Sequence, residues 1–102
     1  MVNFDPQKGI SALGLMSGTS LDGLDLCMAD FTLRNGKWSY NIVCADSVTY
    51  PREIKKALAT AQSMSALEYA RLHSDYGIYL GVQVKSFMDS HKVRPQLVSS
   101  HG

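Results

Sequence analysis

A short, polar turn set between two apolar runs constrains this chain more than any other feature. Residues 10–16 (Ile-Ser-Ala-Leu-Gly-Leu-Met) form the first run, and Ser17-Gly18-Thr19-Ser20-Leu21-Asp22-Gly23 form the turn. The first run is short and almost wholly apolar, which predicts a strand at the centre of a sheet. The second run, residues 24–33, starts apolar on both faces (Leu24, Leu26, Cys27, Met28, Ala29). Asp30 and Thr32 then make one face polar. Asn35-Gly36 is a strong two-residue hairpin signal. Beyond it, Trp38, Tyr40, Ile42, Cys44, Val48 and Tyr50 fall on one face of a period-two pattern, with Ser39, Asn41, Ser47 and Thr49 opposite. The expectation is a meander of three strands, the last half-buried.

Pro51 opens a helix over residues 51–61, with Glu53 in its first turn. Ser65-Ala66-Leu67-Glu68 has the capping-box pattern and starts a second helix. Tyr69, Leu72 or His73, Tyr76, Leu80, Val84 and Phe87 recur every three or four residues, an amphipathic stripe ending near Met88. Gly77 and Gly81 each cost about 1 kcal/mol of helix propensity against Ala. Four apart, they share one side of the helix; either they let it lie close to the sheet or they are merely tolerated. Pro95 precedes a final strand over residues 96–100. The order β-β-β-α-α-β predicts an α/β fold, a mixed sheet with one parallel pair.

A chain of 102 residues holds one domain. A net charge of +1 argues against nucleic-acid or membrane-surface partners, which call for a basic face. Lys55-Lys56 fits a solvated helix face. No run approaches the ~20 apolar residues of a membrane span. The N-terminus lacks the basic and apolar regions of a secretory leader, so a cytoplasmic location is expected. Cys27 and Cys44 lie inside apolar strands without C-x-x-C spacing, which predicts buried free thiols in a reducing compartment. His73, His91 and His101 are too dispersed to suggest a zinc site.

The turn itself carries chemistry. Glycine lets backbone N–H groups approach a phosphate that a Cβ would hold away. Hydroxyls at Ser17, Thr19 and Ser20 can donate to phosphate oxygens, and the carboxylates of Asp22 and Asp25 suit a hard Mg²⁺ ion and its waters. No Gly-Lys-Ser/Thr follows and a strand comes next, so this is not a Walker loop. The plain alternative is a hairpin whose Gly, Ser and Asp residues only satisfy turn geometry, with Asp22 capping its own loop.

The stretch Gly14-Leu15-Met16-Ser17 followed by Gly18-Thr19-Ser20-Leu21-Asp22-Gly23-Leu24-Asp25 resembles the nucleotide-binding signature of the anhydro-N-acetylmuramic acid kinases. That family belongs to the sugar kinase/actin-like ATPase superfamily. The resemblance continues through the helical segment from Leu72 to Gly81 and closes on Ser100-His101-Gly102, similar to the start of the family's S-H-G-Q-T segment. It implies a partial ribonuclease H-like (actin-like ATPase) domain. Residues 1–102 would be the N-terminal part of lobe I, with a phosphate hairpin at 14–25 and the second lobe absent from this chain. It also implies ATP and Mg²⁺ as cofactors. Gly18, Thr19, Ser20, Leu21, Asp22, Gly23, Leu24 and Asp25 would bind the nucleotide. Asp22 and Asp25 would face the metal, directly or through water, and His101 would face the sugar.

The implied reaction opens the 1,6-anhydro ring of anhydro-N-acetylmuramic acid hydrolytically and phosphorylates it to the 6-phosphate, a step in cell-wall sugar recycling. The implied partners are that amino sugar and ATP, with room for a homodimer of the full-length protein. The catalytic base is expected beyond Gly102, so no catalytic residue is assigned and the chain alone is expected to be inactive. Two further readings stay open: a non-catalytic nucleotide-binding or assembly module, and a kinase for a different sugar.

Overall fold

In the computed structural model, residues 9–17 and 23–101 are described. The first strand, β1 (Ile10–Ser17), alternates cleanly: Leu13 and Leu15 are buried, and Gly14 and Met16 are exposed. Burying one side of a strand in this way needs pairing on both edges and a cover on one face. Both are present. β1 pairs antiparallel with β2 (Gly23–Arg34) and parallel with β4 (Leu97–His101), and β2 pairs antiparallel with β3 (Lys37–Thr49). The sheet order is β3-β2-β1-β4, so β1 is central and β1·β4 is the expected parallel pair. Gln96 locks the register at the start of that pair: its N–H donates to the Ser11 carbonyl at 2.8 Å, and its Oε1 accepts from the Ser11 N–H at 3.0 Å.

Asn35 (φ 53°) and Gly36 (φ 74°) form the β2–β3 turn, both with the positive φ that a two-residue turn of this hand requires. The third strand departs from expectation. Met28 pairs with Cys44 but Ala29 pairs with Ile42, so Val43 is an extra residue on β3. A bulge of this kind shifts the pattern by one, and every side chain beyond it changes face. Cys44 and Val48 therefore share the face of Leu24, Leu26 and Met28, whereas Trp38, Tyr40 and Ile42 lie on the opposite face with Phe31 and Leu33. The single apolar face expected over residues 38–50 is in fact two half-faces.

Two helices cover the Leu13/Leu15 face. α1 (Arg52–Ala59) starts behind Pro51, and a 3-10 turn (Ala61–Ser63) leads to α2 (Ala66–His91). Ser65 caps α2 as expected: its Oγ accepts from the Glu68 N–H at 3.2 Å and donates to the Glu68 carboxylate at 2.9 Å. The helix runs a turn past Met88 because Lys92, in the left-handed conformation (φ 55°), ends it; the Val93 N–H then bonds back to the Met88 carbonyl. His91 reaches Asp46 of β3 at 2.8 Å and ties the end of α2 to the sheet. Phe87 enters the core with Leu13, Leu15, Leu24, Leu26, Met28 and Tyr50. Burial of one such ring is worth ~1.5–3 kcal/mol. Tyr69, placed on the stripe by its spacing, is exposed instead, and Tyr79 takes part in the packing.

Gly77 and Gly81 settle between their two readings. A Cβ built at either position meets nothing within 4 Å, so they are tolerated rather than needed for close approach. Cys27 and Cys44 are free thiols, half-buried rather than buried. Burial, reinforced by Asp46 and Cys27, pushes the Cys44 thiol pKa up.

Candidate functional site

The turn between β1 and β2 hangs from the ends of two long, well-paired strands. Its segment Gly18, Thr19, Ser20, Leu21 and Asp22 lies outside the described residues. Its mouth is described. Ser17 pairs with Leu24 across β1·β2, and Gly23 pairs with Thr49 across β2·β3. The mouth is therefore closed by three strands and not two.

The three remaining residues of the stretch 18–25, namely Gly23, Leu24 and Asp25, differ in what they do. A Cβ at Gly23 would stand 2.5 Å from the Val48 carbonyl oxygen, so the backbone of β3 requires glycine there whatever the turn binds. Leu24 is 1% exposed, and its side chain belongs to the core; only its backbone faces the turn. Asp25 is a carboxylate in an otherwise apolar stretch. It is exposed, on the face away from the helices, and its Oδ1 accepts from Ser47 Oγ at 2.6 Å. The side of β2 that carries Asp25 is the uncovered side of the sheet, so the carboxylate keeps its contact with water. A hard cation with its hydration shell can approach such a group, and Ser47 orients it. Among the described residues no three His, Cys, Asp or Glu side chains converge on one point. A metal at this site would then lean on Asp25 and on groups in the segment 18–22.

His101 pairs through its backbone with Met16, one residue before Ser17. Because β4 runs parallel to β1, both strands deliver their carboxyl ends to the same edge of the sheet. The turn and the Ser100-His101 segment, 77 or more residues apart in the sequence, thus come together at that edge. Beside it, on the helix side, lies a groove of about 480 Å³ lined by Tyr69, Leu72, His73, Tyr76, Leu80 and Ser100. A larger hollow near Lys85, Met88 and Lys92 lies along the last turns of α2, away from this edge.

Spacing along the chain did not point to one group at the mouth. Tyr50, at the end of β3, is 4% exposed and shares a hydrogen bond with the Tyr76 hydroxyl at 2.5 Å. Tyr79 packs edge-on to Tyr50 and stacks on Tyr76. Burial drives the Tyr50 pKa well above the usual phenol range; the nearby Ser17 hydroxyl works against that shift and the Tyr76 hydroxyl adds to it. The Tyr76 and Tyr79 positions, three apart on a helical pattern, were the available sequence signal. What hid them was that their partner, Tyr50, comes from a strand.

In parallel α/β sheets, ligands bind outside the carboxyl ends of the strands. In this mixed sheet the central strand β1 and its parallel neighbour β4 bring their carboxyl ends to one edge. The family comparison is specific: the model of the family "Anhydro-N-acetylmuramic acid kinase" matches residues 10–102, and the chain belongs to that family. Among curated relatives, it is similar to the anhydro-N-acetylmuramic acid kinase of Pseudoalteromonas translucida, 32% identical over 96 residues, covering 88% of this chain and 24% of that protein. It is similar to the enzymes of the same name from Pasteurella multocida (27% over 95 residues) and a Picosynechococcus species (25% over 93 residues), with the same coverage of each chain. The chain spans about a quarter of the length of these relatives. No described helix is long and apolar enough to cross a membrane.

Proposed function

We propose that this chain is the nucleotide-phosphate portion of an ATP-dependent kinase that opens 1,6-anhydro-N-acetylmuramic acid and phosphorylates it to the 6-phosphate. The observation that carries the reading is the family match, which runs through the turn and on to the last strand. Residues 1–102 then form the first part of a ribonuclease H-like, actin-like lobe, with the phosphate hairpin at 14–25. In the reaction, a general base takes the proton of a water that attacks the anomeric carbon, O6 leaves that carbon, and O6 accepts the γ-phosphoryl group in line as the bond to the β-phosphate breaks and ADP departs. Phosphoryl transfer of this kind is catalysed by positioning and charge neutralisation, which a phosphate clamp supplies.

The chain's own residues would contribute to the clamp alone. Backbone N–H groups and hydroxyls of Gly18, Thr19 and Ser20 hold phosphate oxygens, with Leu21, Gly23 and Leu24 contributing backbone. Asp22 and Asp25 hold Mg²⁺-bound water; the exposure of Asp25 and its single oriented oxygen fit that role. His101, carried to the same edge, contacts the sugar or a phosphate. No residue of this chain is assigned as the catalytic base. The acceptor sugar follows from the names of the relatives, and a cytoplasmic, dimeric enzyme is the corresponding expectation for the whole protein.

Asp25→Asn tests the clamp. An amide oxygen can still accept the Ser47 hydrogen bond, so the melting temperature should stay within a few degrees of the parent. Calorimetric titration with Mg²⁺-ATP should show binding weakened about tenfold or more, as expected when one charge is lost from a phosphate–metal site. In a polypeptide that carries the remaining family sequence, turnover should fall by orders of magnitude. Unchanged Mg²⁺-ATP affinity in the variant would assign Asp25 to the β2–β3 ladder and remove it from the clamp.

A further inference from the structure

Helix α2 carries two stripes. Tyr76, Leu80, Val84 and Phe87 pack toward the sheet. On the opposite side Arg71, Asp75, Ile78, Val82, Lys85 and Asp89 recur every three or four residues, and all six are exposed. A helix that buries one face against a core is ordinarily polar on the other. Here Ile78 and Val82, 66% and 58% exposed, sit one turn apart in the middle of the outer stripe. With Lys85 and Asp89 they border a shallow hollow of about 540 Å³, so the stripe is notched and can take the side chains of a facing helix.

The charges on this stripe have an order. From the amino end it reads positive, negative, apolar, apolar, positive, negative. Arg71 and Asp75, like Lys85 and Asp89, have the spacing for a pair within the helix. Among the described residues, none of the four is in an ion pair or a side-chain hydrogen bond. Reversing the stripe about the point midway between Ile78 and Val82 brings each charge opposite its complement. Arg71 of one copy then meets Asp89 of the other, Asp75 meets Lys85, and Ile78 meets Val82. A parallel copy in register would set every charge against its like. The order therefore selects an antiparallel mate, the self-complementary contact of a two-fold dimer.

We propose that the outer stripe of α2 is an interface with a second copy of this chain, the two helices packed antiparallel across a two-fold axis. The contact runs about 27 Å along the helix from Arg71 to Asp89. One helix face is a small interface, so the dimer is weak and forms as concentration rises. No residue of the β1–β2 turn takes part, and the proposal stands apart from the kinase reading.

Sedimentation equilibrium of the full chain tests it, in a Trp38→Ser/Tyr40→Ser background that suppresses association through the uncovered face of the sheet. The background chain should show a monomer–dimer equilibrium. Lys85→Glu sets two carboxylates together twice across the axis, and Asp75→Lys sets two ammonium groups together twice. Each should weaken dimerisation about tenfold or more, because like charges then face each other. An equimolar mixture of these two variants pairs opposite charges at both places and should return to the background affinity. So should the double variant Asp75→Lys/Lys85→Glu. A variant that had merely lost its fold would not be rescued by mixing. A background chain that stays monomeric would overturn the proposal. So would single variants that associate as the background does, or a mixture no tighter than its components.

Discussion

Gly23 shows how one residue can belong to a signature for more than one reason. The Val48 carbonyl would stand 2.5 Å from its Cβ, so Gly23→Ala forces β3 away from the mouth. We expect a loss of ~1–3 kcal/mol, the usual cost of overpacking a tight site, read as a lower denaturant midpoint. Gly14, where a Cβ would meet only the Cys27 carbonyl at an ordinary 3.8 Å, lacks this constraint.

The tyrosine cluster gives a pH dependence with a definite sign. Burial raises the pKa of Tyr50 and Tyr79 above the ordinary 10.0. Below that value both groups are neutral in the folded and unfolded chain, and they contribute no slope. Above it the unfolded chain releases its protons while the folded chain keeps them, so stability falls as pH rises. Denaturant midpoints should decline from about pH 10 upward, and the Tyr50→Phe/Tyr79→Phe double variant should decline less steeply.

At the scale of elements, the meander, both helices and the final strand were legible because each carries a local signal. Asn35-Gly36 makes the turn, Ser65-x-x-Glu68 caps α2, and Pro51 opens α1. The bulge at Val43 was not legible, since Ile42-Val43-Cys44-Ala45 are apolar throughout and do not show where an extra residue sits; only pairing with the partner strand reveals it. The glycines of α2 were readable in cost but not in purpose. With open space around both positions, Gly77→Ala and Gly81→Ala should each stabilise the chain by up to ~1 kcal/mol, seen as a rise in melting temperature. A loss of stability at either would mean that the helix packs closer to a neighbour than its surroundings indicate.

The whole molecule is lopsided. Both helices cover one face of the sheet, and the opposite face exposes Met16, Phe31, Trp38, Tyr40, Ile42 and Leu97. β3 is in addition a 13-residue edge strand with an unpaired side. Exposed apolar faces and long edges promote association. We expect the isolated chain to self-associate with rising concentration in sedimentation experiments. Trp38→Ser combined with Tyr40→Ser, at two exposed positions, should shift it toward the monomer without lowering its melting temperature. A parent chain that stays monomeric at high concentration would show that this face is adequately solvated.

The sequence alone determined the kinds and order of the elements and the Asn35-Gly36 turn, because propensity, capping and turn chemistry act over a few neighbouring residues. Only the tertiary structure decided which face each residue takes beyond Val43, that Asp25 is exposed and held by Ser47, and that Tyr50 meets Tyr76 beneath the turn. It also decided that His101 ends beside Met16. Those outcomes depend on strand register and on packing between elements distant in the chain, and neither leaves a mark in local sequence.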